Sequence, residues 1–351
     1  MTFNFSNFWT RLNNWEFWPW QVIYFPVFLY GIWMAIRSRS PFFFSTVNPG
    51  IEGGGMMIES KYSILKQFNP ELIPKTLYMT SPGNFEELVE KMQKLDLRFP
   101  VIAKPDFGER GFMVRKMDEP EMLQNYYQQA KVNFLVQEYI DFPLEAGVFY
   151  HRIPGQSSGK ITSVVVKDFL KVIGNGRETI GELLLESRRN RLYYNDFKKE
   201  YPQLIQKVPA NGETVELMPI GNHCKGTTFL DGQQFITPDL NRLFDRISRQ
   251  VEGFYYGRFD IRFSNWAELY QGKNFKILEL NGAKSEPGHI YHPGNSLFKG
   301  YRDLFAHWNT LFKISRLNHE AGIPYLSGSE GCQLWRQFRS HHRLKRLRSQ
   351  V

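Results

Sequence analysis

The chain has 351 residues, with 44 Lys and Arg against 35 Asp and Glu, and a formal net charge of +9. A hydrophobic content of 42% excludes a disordered chain and is enough for one large domain or two lobes around a buried core. The only cysteines are Cys224 and Cys332, which excludes a disulfide framework and a cysteine-rich zinc site and fits a reducing compartment.

Residues 1–40 read as a membrane-associated segment. WPWQVIYFPVFLYGIWMAI, residues 18–36, carries no charge and is about long enough to cross a bilayer core as a helix. Trp15, Trp18, Trp20 and Tyr24 resemble an interfacial aromatic belt, and Arg37 and Arg39 follow. The positive-inside bias then places the following domain in the cytoplasm. Pro19 and Pro26 interrupt the run. Spanning the membrane, lying flat in its interface and packing as a core helix all stay open. Residues 41–98 form a juxtamembrane loop and the approach to the core. Phe42, Phe43 and Phe44 dip into the interface or plug a groove, and Gly53–Gly54–Gly55 reads as a hinge or as a place where backbone approaches a ligand closely. Residues 81–95 read as a helix with Phe85, Leu88, Val89, Met92 and Leu95 on one side.

Val101 and Ile102 start a strand that ends at Lys104. A glycine loop with Gly108 and Gly111 follows, then a second strand around residues 112–115. FLVQEYI, residues 134–140, is an apolar strand ending in Glu138 and Tyr139. An alternating strand opens at Lys160, and Lys167 at its end reads as a phosphate contact. Thr179 and Glu182 form a capping box at a helix start. His223 and Cys224 lie in GNHCKGTT without a nearby second cysteine, so that segment reads as a positioned loop. Asp239 caps a helix running through Val251, with Leu240, Leu243, Phe244, Ile247 and Val251 as its core stripe.

Two strands follow, YGRFDIRF at 256–263 and FKILELN at 275–281. Period-two alternation puts Arg258, Asp260 and Arg262 on one face, and Glu279 and Asn281 share a face on the second strand. Asp, Glu and Asn oxygens suit a hard cation such as Mg²⁺ that is also held by substrate phosphates. Arg258 is placed to reach a phosphoryl group in transfer. No Walker or dinucleotide-binding glycine motif occurs.

The pattern G-R-F-D-I, a loop, then L-E-L-N-G resembles the metal-binding end of ATP-grasp carboxylate–amine ligases such as D-alanine–D-alanine ligase, glutathione synthetase and cyanophycin synthetase. The resemblance extends over about residues 59–311. It implies an α+β, ATP-grasp fold, two lobes clasping ATP, within residues 99–315. Residues 99–150 would be the nucleotide-covering lobe and 151–315 the catalytic lobe. It further implies Lys104 on phosphate, a flap over Gly108–Gly111, an adenine hinge at Glu138 and Tyr139, and Glu145 on ribose. Asp260, Glu279 and Asn281 would hold Mg²⁺ (or Mn²⁺). The usual N-terminal substrate lobe is missing from this pattern, and the apolar segment stands in its place. After Asn281 the sequence GAKSEPGHIYHPG departs from D-alanine–D-alanine ligase, and Lys284, Ser285, Glu286 and His289 become acceptor candidates.

Residues 316–351 form a basic tail, with Arg336, Arg339, Arg343, Lys345, Arg346 and Arg348. An anionic leaflet, nucleic acid and plain solvent are its open partners, although no nucleic-acid-binding motif accompanies it. The expected function is ATP-dependent ligation of a carboxylate to an amine through an acyl phosphate, on small-molecule or lipid-linked substrates, by a homo-oligomer or a single chain. The alternative is a membrane-tethered ATP-binding module without ligase activity.

Overall fold

The computed structural model describes residues 5–81, 84–108, 111–218, 221 and 223–348. It starts with two helices, α1 (Phe5–Asn13) and α2 (Trp20–Ser38). Among the described residues no helix is long and apolar enough to cross a membrane, so the spanning alternative is corrected. α2 buries Ile23, Val27 and Met34 against the protein, while Trp20, Phe25, Phe28 and Ile36 stay exposed. The aromatic run after it packs into the protein, the second of its two readings. Phe43 and Phe44 are buried, and Phe43 packs edge-on to Phe312, because three adjacent phenyl rings gain more from a protein core than from water.

The triple glycine is not a hinge. Gly53, Gly54 and Gly55 all have positive φ, the region that glycine enters without steric cost. Gly54 and Gly55 carbonyls accept from the N–H groups of Ala283 (3.0 Å) and Lys284 (2.9 Å). A Cβ on Gly55 would lie 2.7 Å from the Gly282 Cα. The run is a close backbone splice that anchors the loop after the acidic strand.

Helix α3 (Lys61–Leu65) is capped by the Ser60 hydroxyl. Strand β1 (Thr76–Met79), helix α4 (Phe85–Lys94), strands β2 (Val101–Pro105) and β3 (Arg115–Met117), helix α5 (Pro120–Gln129) and strand β4 (Phe134–Glu138) build the first lobe. Its sheet has the order β1-β4-β2-β3, every pair antiparallel. Leu88 and Met92 of α4 and Leu123 and Tyr126 of α5 pack over Val101, Ala103 and Val136. α4 starts later than its apolar pattern suggests, because Asn84 supplies the cap and Ser81 is bonded to Asn133 and Ala130. The lobe reaches back to Thr76, ahead of the expected boundary at residue 99.

The second lobe is built on β5 (Leu144–His151) and β6 (Lys160–Asp168). The pair β7 (Lys171–Ile173) and β8 (Thr214–Glu216) encloses helices α6 (Ile180–Glu186) and α7 (Tyr194–Glu200) as a small satellite core. Strand β9 (Thr228–Asp231), helix α8 (Pro238–Ser248), strand β10 (Tyr256–Phe263), helix α9 (Trp266–Tyr270) and strand β11 (Phe275–Asn281) complete it. The sheet order is β11-β10-β5-β6-β9, antiparallel throughout. Thr237 rather than Asp239 caps α8, with Pro238 at its first position. Leu240, Leu243, Phe244 and Ile247 bury against Phe259, Ile261 and Ala146 on one sheet face. Each such side chain contributes roughly 1.5–3 kcal/mol on burial. The opposite face carries the site.

Helix α10 (Leu297–Glu320) runs beside α2, with Trp308 in contact range of Gly31. Helix α11 (Gly328–Arg348) gives the basic tail a defined secondary structure; Leu334 is buried, and Arg336 and Arg339 are exposed. The side chains of Arg343, Lys345, Arg346 and Arg348 lie outside the described residues.

Candidate active site

Strands β10 and β11 pair so that Arg258 opposes Asn281 and Asp260 opposes Glu279, with a bulge just after Asp260. All four side chains therefore emerge together on the face turned away from α8. Asn281 Nδ2 donates to Asp260 Oδ2 at 3.1 Å. Arg258 grips the same carboxylate at 3.0 and 3.2 Å. From β6, Lys167 Nζ lies 3.2 Å from Asp260 and 2.7 Å from Glu145. Space for this network comes from Gly147 on β5, where a Cβ would sit 3.0 Å from Arg258 Cδ and 3.2 Å from Asp260 Oδ1.

The charge states follow from these contacts. Burial works against an ionised Asp260, but Arg258 and Lys167 outweigh it and hold the carboxyl below its usual range. Burial also disfavours the Lys167 ammonium, yet Asp260 and Glu145 raise it above the ordinary lysine value. Among the described residues Lys104 has no such carboxylate contact. Its Nζ donates to Gln137 Oε1 (2.8 Å) and the Leu278 carbonyl (3.1 Å), and burial pushes it down to about 8.

One cavity of about 760 Å³ takes in all of these groups and extends past Gly108, Gly111, Glu138 and Tyr139. Residues 109 and 110, the centre of the expected flap, lie outside the described residues. Glu138 binds the edge of β1, its N–H to the Lys75 carbonyl at 2.8 Å and its carboxylate to the Lys75 N–H at 3.1 Å. The Tyr139 ring is in contact with the cations of Lys116 (4.7 Å) and Arg262 (5.3 Å). Glu145 is buried and held by Lys167 and Arg262, so it is no exposed strand-end residue.

Several lining residues went unmarked in the sequence as site groups. Lys61 donates to the Gly108 carbonyl at 2.8 Å and lies 3.6 Å from Glu279. Glu16, Trp18 and Tyr24 reach the cavity from the N-terminal segment. Glu16 is clamped by Arg189 (2.6 and 3.2 Å) and by His223 Nε2 at 3.0 Å. Burial opposes its charge, but His223 and Arg189 outweigh that and keep the carboxyl low. His223 thus serves as a tether for the N-terminal segment; the Cys224 side chain lies outside the described residues. Of the acceptor candidates, Lys284, Ser285 and Glu286 line the cavity. His289 is buried instead between Ser163 (2.7 Å) and Asp303 (3.1 Å).

Among the described residues no group of three His, Cys, Asp or Glu side chains is arranged around a metal position. The set facing the cavity is two carboxylates and one amide, all able to present oxygen. That donor chemistry fits Mg²⁺, which takes one or two carboxylates and completes its shell with phosphate and water.

Residues 62–165 match the family described as RimK-like ATP-grasp domain. No curated protein matches the chain. Similar solved structures include a bifunctional glutathione synthetase from Pasteurella multocida (16% identity, 70% of this chain and 36% of that one, TM-score 0.36). They also include a D-alanine–D-alanine ligase from Bacillus anthracis (14%, 75% and 69%, TM-score 0.41) and the VanG D-Ala:D-Ser ligase from Enterococcus faecalis (12%, 74% and 62%, TM-score 0.41). The chain spans about a third of the length of the glutathione synthetase. The matched stretch covers Lys104, Glu138 and Glu145, and it is similar to an ATP-grasp domain; Lys167 lies just beyond it, and the acidic face of β10 and β11 lies well outside it.

Proposed function

We propose that the chain is an ATP-dependent ligase that joins a carboxylate to an amine. The observation that carries this reading is the convergence of Asp260, Glu279, Asn281, Arg258 and Lys167 in a cavity that also holds Lys104 and the Gly108 turn. The match of residues 62–165 to an ATP-grasp domain supports it. Asp260, Glu279 and Asn281 would hold Mg²⁺ (or Mn²⁺), which when bound neutralises charge on the β- and γ-phosphates. Lys104 and Lys167 place ammonium groups for the phosphate oxygens, and Glu138 and Tyr139 stand at the adenine hinge. The acid's carboxylate oxygen attacks the γ-phosphorus, and the bond to the β,γ-bridging oxygen breaks to release ADP. Arg258 stabilises the charge spread over the transferring group. The amine nitrogen then forms a bond to the acyl carbon, and the carbon–oxygen bond to phosphate breaks, with one proton released. No protein nucleophile is required.

The substrates are proposed to be lipid-linked or otherwise amphiphilic, with the enzyme lying on a lipid surface. The exposed apolar side chains of α2, flanked by Arg37 and Arg39, support docking in the plane of an anionic leaflet such as the cytoplasmic one. Flotation with anionic vesicles should carry the chain upward, and Phe25→Ser with Phe28→Ser should leave it behind.

The ligase reading is tested with ATP, Mg²⁺, hydroxylamine and a panel of carboxylic acids. Wild type should release phosphate and form a hydroxamate with its acid, whereas a chain that only binds ATP yields neither. Asp260→Asn and Glu279→Gln should each lower turnover by about 10²-fold or more in folded protein. Full turnover in both variants overturns the assignment.

A further inference from the structure

The wall of the cavity built by the N-terminal segment differs in character from the nucleotide side. Glu286 is half-buried there, and among the described residues it has no ion-pair partner. Its carboxylate accepts from the Tyr291 hydroxyl at 2.7 Å, and the Tyr291 oxygen lies 3.0 Å from the hydroxyl of Tyr24 on α2. Burial and the neighbouring Glu286 raise Tyr24 well above the usual phenol value, so its hydroxyl stays protonated.

The other buried carboxylates around Glu286 are already matched. Glu16 is held by Arg189 and His223, Glu59 by Lys284 at 3.2 Å, and Asp260 by Arg258 and Lys167. Arg11, which also lines this wall, is exposed. Tyr24, Tyr291 and Trp18 line the same cavity as Glu286, with the Tyr291 hydroxyl on its carboxylate. A half-buried carboxylate short of a cation, set among aromatic rings, is the arrangement that attracts an ammonium group. The position also suits the chemistry, since Arg258 Nη1 donates to the Glu286 backbone carbonyl at 3.5 Å while its other nitrogens hold Asp260. The group at Glu286 therefore lies next to the proposed phosphoryl-transfer centre. Trp20 and Ile23 line the same wall, and Trp20 is also part of the exposed apolar surface of α2.

We propose that the N-terminal segment forms the amine-acceptor subsite, in which Glu286 receives a primary ammonium carried on an apolar body inside the enclosure of Tyr24, Tyr291 and Trp18. This rests on the ligase reading and names its second substrate class. On attack, the ammonium gives one proton to the Glu286 carboxylate and the free nitrogen lone pair forms the C–N bond; the second proton leaves nitrogen as the acyl carbon–oxygen bond breaks and departs with the phosphate as hydrogen phosphate. The apolar body continues along Trp20 toward the surface of α2.

The test is calorimetric titration of the full chain, loaded with a non-hydrolysable ATP analogue and Mg²⁺. Three probes are compared: phenethylammonium, its anionic counterpart 3-phenylpropionate, and methylammonium, which lacks the apolar body. Phenethylammonium should bind at least tenfold more tightly than either of the others, and Glu286→Gln should weaken it at least tenfold while analogue binding is unchanged. Trp18→Leu should weaken it as well, and this variant serves if Glu286→Gln does not fold. Equal binding of 3-phenylpropionate, or unaltered phenethylammonium binding in the folded variants, overturns the proposal. Wild type that binds the nucleotide but not phenethylammonium refutes this subsite alone, whereas wild type that binds neither refutes the ligase reading with it.

Discussion

Lys104 and Glu279 illustrate how single side chains set testable behaviour. Lys104 is buried beside two neutral oxygens, and its value of about 8 lies below that of an exposed lysine. Between about pH 8 and 10.5 the unfolded chain binds more protons at this position than the folded one. Stability contributed by this group therefore rises with pH across that window, by an upper bound of roughly 3 kcal/mol. Denaturation of wild type and Lys104→Met, compared point by point from pH 7.5 to 10.5, should show wild type gaining on the variant as pH rises. Glu279 is the cleaner of the two acids for testing the site. It is partly exposed and only 3.6 Å from Lys61, whereas removing Asp260 takes the carboxylate from the half-buried Arg258 and leaves the buried Lys167 with Glu145 alone. Glu279→Gln should lower kcat for phosphate release by about 10²-fold or more with little change in melting temperature. The alternation of β10 made Arg258 and Asp260 legible in the sequence, because period-two geometry needs only local spacing. Glu145 was less legible, since its partners Lys167 and Arg262 come from other strands.

Short elements position the site, and they obey local rules to different degrees. The capping box at α6 was readable from Thr179 and Glu182, and both of its hydrogen bonds are present. Thr179→Ala should cost about 1 kcal/mol in denaturant unfolding, confined to the satellite core. The triple glycine was misread, because flexibility and close approach demand the same residue. Gly55→Ala meets both a positive φ and the Gly282 backbone. It should destabilise the protein by about 2 kcal/mol or more and reduce ATP turnover, since the loop it anchors follows Asn281 directly. Helix α2 reads as membrane-like by composition alone. Its buried side chains Ile23, Val27 and Met34 are spaced to meet the body of the protein, and that match to a surface built hundreds of residues later has no local signature.

At the scale of the whole molecule, two antiparallel sheets face a shared cavity, and the N-terminal segment closes part of its wall. Deleting residues 1–40 should therefore do more than release an anchor. It removes Trp15, Ile23, Val27 and Met34 from two buried clusters, and the truncated chain should be insoluble or melt far below the full chain. A truncated protein with an unchanged melting temperature would contradict this packing. A ligand that touches both lobes binds only the folded state. ATP with Mg²⁺ at about 100 times its Kd should thus add about 2.7 kcal/mol to stability, and ATP with a chelator should add less.

The sequence by itself determined the strands at 101–104, 134–140, 160–167, 256–263 and 275–281, the alternating faces of the last two, the acidic set Asp260, Glu279 and Asn281, and the lysines at strand ends, because each depends on spacing within a few residues; β1, β5, β7, β8 and β9 were not legible there. Tertiary structure alone decided that α2 packs against α10, that Glu145 joins a buried ion network, and that Glu16, Tyr24 and Glu286 share one cavity with the acidic face. Those outcomes depend on burial and charge pairing between segments far apart in the chain, where desolvation costs are settled only when the partners meet.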